Sequence, residues 1–313
     1  MNRAAIARCD NESEPRNPTR LSALICATSA FICVLIAFGV TQSAAAEIRL
    51  KDDLGREVAM RHPARRIVTL APFLTELAFS AGAGPRVVGA SAFSDYPPEA
   101  ARLPEVATAA GLSLESLAAL KPDLVLAWKD SVRPEEVALL SRLGAAVFVA
   151  QARSLADVPR ILHAIGTLAG VDASAAASAY EEKLARVRAR YAKRPPVDVF
   201  LEIWSHPLTT ISGRHFMNEA LGICRARNVF DDLPGVAPEV SWEELYKRDP
   251  PVIVGVGSAL TDAGFRAEWR EHPTLRAVRS GRLVFVPPDR LQRPTARTPD
   301  GIAELCAALD RAR

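Results

Sequence analysis

Two tryptophans stand where apolar strands of the sequence end. Residues 124–127 are apolar, follow the corner Lys121-Pro122-Asp123 and lead straight into Trp128. Residues 197–203, apolar except for Asp198 and Glu202, form a second such strand, which leads into Trp204. Ligands of open α/β sheets bind outside the carboxyl ends of the strands. The chemistry expected at both positions is therefore packing of an indole ring on a flat, largely apolar ligand.

Signatures of catalysis and of metal binding are missing from the sequence. It contains no G-x-S-x-G, no Walker loop and no H-E-x-x-H. Gly255-Val256-Gly257 lacks the third glycine of a dinucleotide fingerprint, which favours a tight turn after a strand. No two of the five histidines are spaced i, i+4, so a zinc site is not indicated. A hydrolase, which needs a nucleophile beside a base, is kept as the alternative of another class.

The elements that position the two tryptophans alternate between strand and helix. In the first half, apolar patterning predicts strands at 66–70, 87–90, 124–127 and 146–149, and helices at 75–81, 114–120 and 134–143. In the second half it predicts strands at 197–203, 252–256 and 283–286, and helices at 216–221, 242–247 and 298–309. This βα rhythm indicates an α/β protein with parallel sheets covered by helices.

A long helix separates the two halves. Apolar residues recur at helical spacing through residues 173–193, after a helix at 154–169, and Pro195-Pro196 ends the pattern. We therefore predict two Rossmann-like lobes, at 47–170 and 196–313, joined by a single linker helix at 171–195. A rigid helix between lobes restricts hinge motion, so only a small closure is expected on binding.

Residues 1–46 are typical of an export leader. Four arginines precede an apolar run at 21–40, and Ala44-Ala45-Ala46 supplies the small-residue cleavage pattern before Glu47. The alternative is an uncleaved anchor, because an apolar run of about 20 residues is long enough to cross a bilayer.

Removal of this leader takes three of the five cysteines with it and leaves Cys224 and Cys306. Two cysteines in an exported protein usually pair. Two buried free thiols are the alternative.

The charge of the remaining chain is nearly balanced. Residues 47–313 carry 35 basic and 33 acidic side chains, a net charge of +2. A nucleic-acid-binding protein needs a marked basic excess on one face, so this class of partner is not indicated.

Several motifs together resemble one known family. They are I-V-T-L-A-P at 67–72, T-E-L-A-F at 75–79, S-D-Y-P-P at 94–98, L-K-P-D-L-V at 120–125 with Ala127-Trp128, N-V-F at 228–230, and Val240-Ser241 with Glu243. In this combination the chain resembles the periplasmic vitamin B12 (cobalamin) binding proteins of ABC importers. They belong to class III of the periplasmic binding proteins, whose two lobes are joined by one helix.

The resemblance implies a corrin-binding pocket between the lobes, with several substitutions. Phe93 stands where the family has a ligand-contacting tyrosine, and Trp128 where it has a pocket tryptophan. The run Asp289, Arg290, Leu291, Gln292 and Arg293 stands where the family has ligand contacts, but Arg290 and Leu291 replace two aromatic rings. Trp204, displaced by one residue from the family's position, is expected to supply a compensating wall. Asp289, Arg293 and Arg297 are expected to reach the corrin amides and the nucleotide phosphate.

The resemblance also implies a disulfide and a docking partner. Cys224 and Cys306 stand where the family has its disulfide. Glu243 stands where one lobe of the family docks on the permease dimer of the importer. At the matching site of the other lobe Pro134 is present, so Glu135 or Glu136 is expected to substitute. Cobalamin would be cargo and not a cofactor, the receptor would be monomeric, and no protein atom, including His206, would bind the cobalt.

Two other ligands of the same fold stay open. Haem capture would favour a tyrosine or histidine ligand, and a ferric siderophore would favour several arginines. Arg290, Arg293 and Arg297 keep the second alternative open.

Overall fold

The computed structural model describes residues 47–257 and 261–313. The predicted leader, with its apolar run and cleavage pattern, lies outside the described residues. The strands are β1 (Ile48–Lys51), β2 (Glu57–Met60), β3 (Ile67–Thr69), β4 (Val87–Ser91), β5 (Glu105–Thr108), β6 (Gly111–Leu112), β7 (Leu124–Trp128), β8 (Ala146–Ala150), β9 (Val197–Glu202), β10 (Ala226–Asn228), β11 (Val252–Gly255) and β12 (Leu283–Phe285). The helices are α1 (Pro72–Ser80), α2 (Leu114–Leu120), α3 (Pro134–Arg142), α4 (Asp157–Ala169), α5 (Ser174–Tyr191), α6 (Phe216–Ile223), α7 (Trp242–Arg248), α8 (Asp262–Trp269), α9 (Arg276–Arg279) and α10 (Thr298–Ala312).

A six-stranded sheet, in the order β6-β5-β4-β3-β7-β8, forms the first half of the described chain. All its pairings are parallel except β5 with β6. Along β7, Leu124 and Leu126 belong to one apolar cluster and Val125 to another, because successive side chains of a strand point to opposite faces. Helices α1 and α4 cover the first face, and α2 and α3 cover the second. Both faces are therefore buried, as a parallel sheet requires.

A second sheet, in the order β10-β9-β11-β12, is parallel throughout. Helices α6 and α10 pack on one face, which carries Val199 and Leu201 of β9. The opposite face carries Phe200, which packs edge-on against Phe230 and Trp269. The parallel sheets predicted from the βα rhythm are present.

Helix α5 contributes to the cores of both sheets. Tyr180, near its middle, is buried with the first sheet, Tyr191 at its end is buried with the second, and Leu184 packs against both clusters. The hydroxyl of Tyr180 donates to the carbonyl oxygen of Leu155 at 2.9 Å, and burial raises the pKa of this phenol. A helix that connects two sheets has to pack against both cores in this way. The linker bounds of 171–195 stay a prediction.

Cys224 and Cys306 form a disulfide, as predicted. It joins the residue after α6 to the middle of α10, and both cysteines are fully buried. The bond therefore ties together the two helices that cover one face of the second sheet.

The longer predicted elements lie within a few residues of the observed ones, and several short elements were missed. The missed elements are the antiparallel hairpin of β1 and β2, the strands β5, β6 and β10, and helix α9. Each of these has only two to four residues, too few to show a period. Helix α8, with eight residues, also had no predicted range. Within the described residues, every helix is too short or too polar to pass through a bilayer.

Candidate ligand-binding cleft

A cavity of about 570 Å³ lies beyond the carboxyl ends of the strands. Its first side is built from residues that follow β3, β7 and β8, and its second side from loops of the half that contains the second sheet. The lining residues are Ala71, Pro72, Phe73, Trp128, Asp130, Gln151, Ala152, Arg153, Arg214, His215, Phe216, Val236, Ala237, Gln292, Arg293 and Pro294. The volume lies in the range of small-molecule sites.

Trp128 forms the aromatic wall of this cavity. It is the last residue of β7, and 36% of it is exposed although the four residues before it are buried. The ring of Phe73 packs against it edge-on, with the ring centroids 6.0 Å apart and an interplanar angle of 89°. Phe73 is held by the start of α1, where Pro72 fixes the backbone direction. The two rings together hold a fixed apolar surface toward the cavity.

Arg293 lines the cavity, and its charge is already balanced. Its Nη1 lies 2.7 Å from Oδ1 of Asp95 and 3.4 Å from Oε1 of Glu76, and its Nη2 lies 3.5 Å from Oδ1 of Asp289. Burial alone would lower the pKa of Arg293, but the hydrogen bond and charge of Asp95, with Asp289 and Glu76, outweigh burial and raise it. Arg293 is therefore a permanent, internally paired cation.

Arg297 is paired in the same way. Its Nε and Nη2 donate to the two carboxylate oxygens of Glu76, and its guanidinium carbon lies 3.7 Å from the ring centroid of Tyr96. Arg297 is not among the lining residues of the cavity. The expectation that it reaches a ligand phosphate is therefore not supported by its contacts.

Two further arginines of the cavity, Arg153 and Arg214, have a different environment. Within the described residues, their guanidinium groups make no hydrogen bond and no ion pair. Only their backbone N–H groups are engaged, that of Arg153 with Oδ2 of Asp157 at 2.9 Å and that of Arg214 with Oγ of Ser212 at 3.1 Å. The side chains thus start from fixed backbone positions and keep their donors available.

His215 lies beside Arg214 and is uncharged at neutral pH. Burial lowers the pKa of its imidazole to about 4. Its Nδ1 accepts a hydrogen bond from the backbone N–H of Met217 at 3.1 Å and so caps α6. The imidazole is therefore fixed by the helix start that it caps.

Phe93 and Trp204 follow the carboxyl ends of β4 and β9 but do not line the cavity. Phe93 is 76% exposed and has a φ of 63°, a left-handed conformation that is uncommon for a bulky residue. Trp204 is 43% exposed, and its Nε1 donates to the carbonyl oxygen of His206 at 2.9 Å. Both rings are accessible at the binding edges of their sheets, and their contact with a ligand stays a prediction.

One of the predicted ligand contacts needs correction. Leu291 is fully buried in the core of the second sheet, so no ligand can touch its side chain in this arrangement. The guanidinium of Arg290 is paired with Glu304 of α10, outside the lining of the cavity, and its contact with a ligand stays a prediction. Of the predicted run 289–293, Gln292 and Arg293 line the cavity, and Asp289 holds Arg293.

The predicted docking carboxylates occupy the first turns of two helices. Glu135 in α3 and Glu243 in α7 are exposed, and neither takes part in an ion pair or side-chain hydrogen bond within residues 47–257 and 261–313. Glu136 instead accepts hydrogen bonds from the backbone N–H and the guanidinium of Arg133, at 2.8 and 3.0 Å. The hydrogen bonds from Arg133 lower the pKa of Glu136. Glu135 is therefore the more available carboxylate of the adjacent pair.

Several lining residues were not predicted from the sequence. Phe73 and Arg153 lie three to four residues beyond the ends of β3 and β8, so a systematic reading of the segment after every strand would have found them. Arg214, His215 and Val236 lie in loops far along the chain from a strand end and carry no comparable signal. In the described part of the chain, no group of three His, Cys, Asp or Glu side chains is placed to hold a metal ion.

Comparison with known proteins gives consistent matches. The family model described as "Periplasmic binding protein" matches residues 67–290. The vitamin B12-binding protein of Vibrio cholerae serotype O1 is 32% identical over 254 residues, which cover 80% of this chain and 91% of that protein.

Solved structures show the same fold. The periplasmic vitamin B12 binding protein BtuF of Vibrio cholerae superposes with a TM-score of 0.71 at 31% identity, covering 80% of this chain and 98% of that one. A periplasmic heme binding protein from Pseudomonas aeruginosa gives a TM-score of 0.69 at 26% identity, covering 78% of this chain and 92% of that one.

Proposed function

This chain belongs to the periplasmic binding protein family, and from that premise we propose that it captures cobalamin or a related corrinoid and delivers it to an ABC importer. The observation that carries the proposal is the aromatic wall of Trp128 and Phe73 in a cavity beyond the strand ends. Its support from relatives is the 32% identity to a vitamin B12-binding protein.

The cavity suits the chemistry of a corrin. A corrin is a broad, mainly apolar disc with a rim of neutral amides, so its receptor needs aromatic and aliphatic walls and a few polar groups that fix orientation. Trp128, Phe73 and Phe216 supply apolar surface, and Gln151 and Gln292 supply amide donors and acceptors. An aromatic contact adds about 0.5 to 1.5 kcal/mol beyond the area that it buries.

The proposal includes the organisation inferred from the sequence. Two lobes at 47–170 and 196–313, joined by a linker helix at 171–195, would close on the ligand by a small amount. The receptor would act in the periplasm as a monomer after cleavage of the leader at 1–46. Cobalamin would be transported cargo, and the receptor would catalyse no reaction.

Delivery would use the exposed carboxylates of α3 and α7. Glu135 and Glu243, in the first helical turn, have no ion-pair partner among the described residues, and such carboxylates suit arginines of a membrane partner. Glu136 is engaged with Arg133, which favours Glu135 over its neighbour for docking on the permease dimer.

Haem is the second candidate ligand, and the fold is what favours it, because a periplasmic heme binding protein from Pseudomonas aeruginosa has the same fold. His215 lines the cavity and is neutral at pH 7, but its Nδ1 accepts the backbone N–H of Met217. The proton of the neutral ring is therefore on Nε2, so neither nitrogen of His215 is free to bind iron in this arrangement.

The test is a set of parallel calorimetric titrations of residues 47–313 with cyanocobalamin, haem and a ferric siderophore. The proposal expects saturable one-to-one binding of cyanocobalamin, tighter than either of the other two. Binding of haem or siderophore without cobalamin binding would overturn the ligand assignment and leave the family assignment intact.

A further inference from the structure

We propose that Arg153 and Arg214 form an anion subsite that takes the phosphodiester of a cobamide's nucleotide loop. By this subsite the protein distinguishes complete cobamides from cobinamides, which have the corrin but lack that phosphate. The inference rests on the proposed function and names the part of the ligand that the cavity selects.

The lining of the cavity has an excess of positive charge. Three arginines line it, and one of them, Arg293, is neutralised by Asp95, Asp289 and Glu76. Asp130 is the acidic side chain among the lining residues, and its Oδ2 accepts a hydrogen bond from Gln151 Nε2 at 2.9 Å. The described ion pairs join it to neither of the other arginines. One positive charge is therefore left over when the two arginines and Asp130 are counted together.

The two arginines lie on opposite sides of the cavity. Arg153 follows β8, the edge strand of the first sheet, and Arg214 precedes α6 beside the second sheet. They reach the cavity from its two sides, and each backbone is anchored by its own hydrogen bond. A guanidinium presents a planar fork of N–H donors that matches phosphate oxygens, and a phosphodiester has two free oxygens to receive such donors.

A neutral ligand would leave this excess charge of the cavity unbalanced. A corrin with its amides carries no anionic group, and covering Arg153 and Arg214 with an apolar disc removes hydration from their guanidinium groups without compensation. An anionic group that enters with the corrin offsets this loss. The phosphodiester is the anion that a complete cobamide brings, so the cavity favours the complete molecule.

The experiment compares cyanocobalamin with dicyanocobinamide by calorimetric titration of residues 47–313. The variants are Arg153→Gln and Arg214→Gln, which keep side-chain polarity and remove the charge. Arg142→Gln, at an exposed position in the last turn of α3, is the matched control. We expect each cavity variant to weaken cyanocobalamin binding by about tenfold, the size of one charge-assisted hydrogen bond, and to change cobinamide binding less than twofold. The control should change neither.

Other outcomes separate this inference from the proposed function. An equal loss for both corrinoids, or no loss for either, would overturn the phosphate subsite while cobalamin binding stands. Failure of the unmodified protein to bind either corrinoid would overturn the proposed function and the subsite with it. If Arg153→Gln and Arg214→Gln weaken haem binding, the two arginines bind the carboxylates of haem and not a phosphodiester, which would overturn the subsite.

Discussion

Arg297 and Glu76 form a two-point ion pair although 221 positions of sequence separate them. Nε and Nη2 of the arginine lie 2.9 and 2.7 Å from the two carboxylate oxygens, and the glutamate side chain is only 2% exposed. Glu76 belongs to α1 on the first sheet, and Arg297 follows β12 of the second. The pair therefore connects the two halves of the described chain beside the ligand cavity.

Loss of the Glu76 charge should destabilise the protein strongly. In Glu76→Gln, Arg297 and the neighbouring Arg293 keep their charges but lose a buried counter-ion. Breaking a buried pair from one side costs about 3 kcal/mol, so the free energy of unfolding in urea should fall by about that amount. The matched control is Asp198→Asn, which removes an exposed partner of Arg227 and should cost less than about 1 kcal/mol. Equal, small effects of the two substitutions would contradict this role of Glu76.

His215 should make stability depend on pH in the mildly acidic range. Its folded-state pKa of about 4 lies below the value of about 6.5 for an unfolded chain. Between these values the unfolded state binds more protons, so stability is complete above pH 6.5 and is lost as pH falls toward 4. The loss is on the order of 3 kcal/mol.

The variant His215→Asn tests this dependence because asparagine is a good helix N-cap and does not titrate. Urea unfolding at several pH values should give a flatter profile between pH 6.5 and 4 for the variant. An unchanged slope would show that other groups cause the dependence.

The disulfide should stabilise the protein through the length of the loop that it closes. Cys224 and Cys306 are 82 positions apart, and closing such a loop in the unfolded chain contributes about 4 kcal/mol in the chain-entropy account. Cys224→Ala combined with Cys306→Ala should lower the unfolding midpoint accordingly. A reductant should shift the unmodified protein to the midpoint of the variant and leave the variant unchanged. If the reductant shifts both proteins equally, the bond is not the source of the effect.

Substitution of the exposed carboxylates Glu135 and Glu243 should impair delivery to the importer without impairing ligand binding. Glu135→Ala and Glu243→Ala lie on helices outside the cavity lining, so cyanocobalamin affinity should not change. Uptake by vesicles that contain the cognate importer should fall at least severalfold for each variant, because the attraction to cationic groups of the permease is lost. If either variant lowers cyanocobalamin affinity but retains uptake, the carboxylate serves ligand binding and not docking.

The fold could be predicted where the sequence has a clear period. The alternation of Leu124, Val125 and Leu126 between two apolar clusters, and the helical spacing of Tyr180, Leu184 and Tyr191, follow directly from backbone geometry. The β1 and β2 hairpin was missed because four-residue strands carry too little pattern.

The site was predicted only in part, for a physical reason. Trp128 was found because a strand end fixes where its side chain points. Leu291 was misplaced because its run of sequence folds as a short turn that buries one residue and exposes its neighbours. The pairing of Arg293 and Arg297 with Glu76 depends on contacts across more than 200 positions, which no local pattern encodes.

The most direct test of the account is calorimetric titration of cyanocobalamin into residues 47–313 and into Trp128→Ala, with Trp204→Ala as a second aromatic variant. Trp128 is the predicted wall of the cavity, whereas Trp204 lies outside its lining. We predict one-to-one binding to the unmodified protein and at least a tenfold loss of affinity in Trp128→Ala, larger than the loss in Trp204→Ala. The absence of cobalamin binding, or an affinity unchanged in Trp128→Ala, would contradict this prediction.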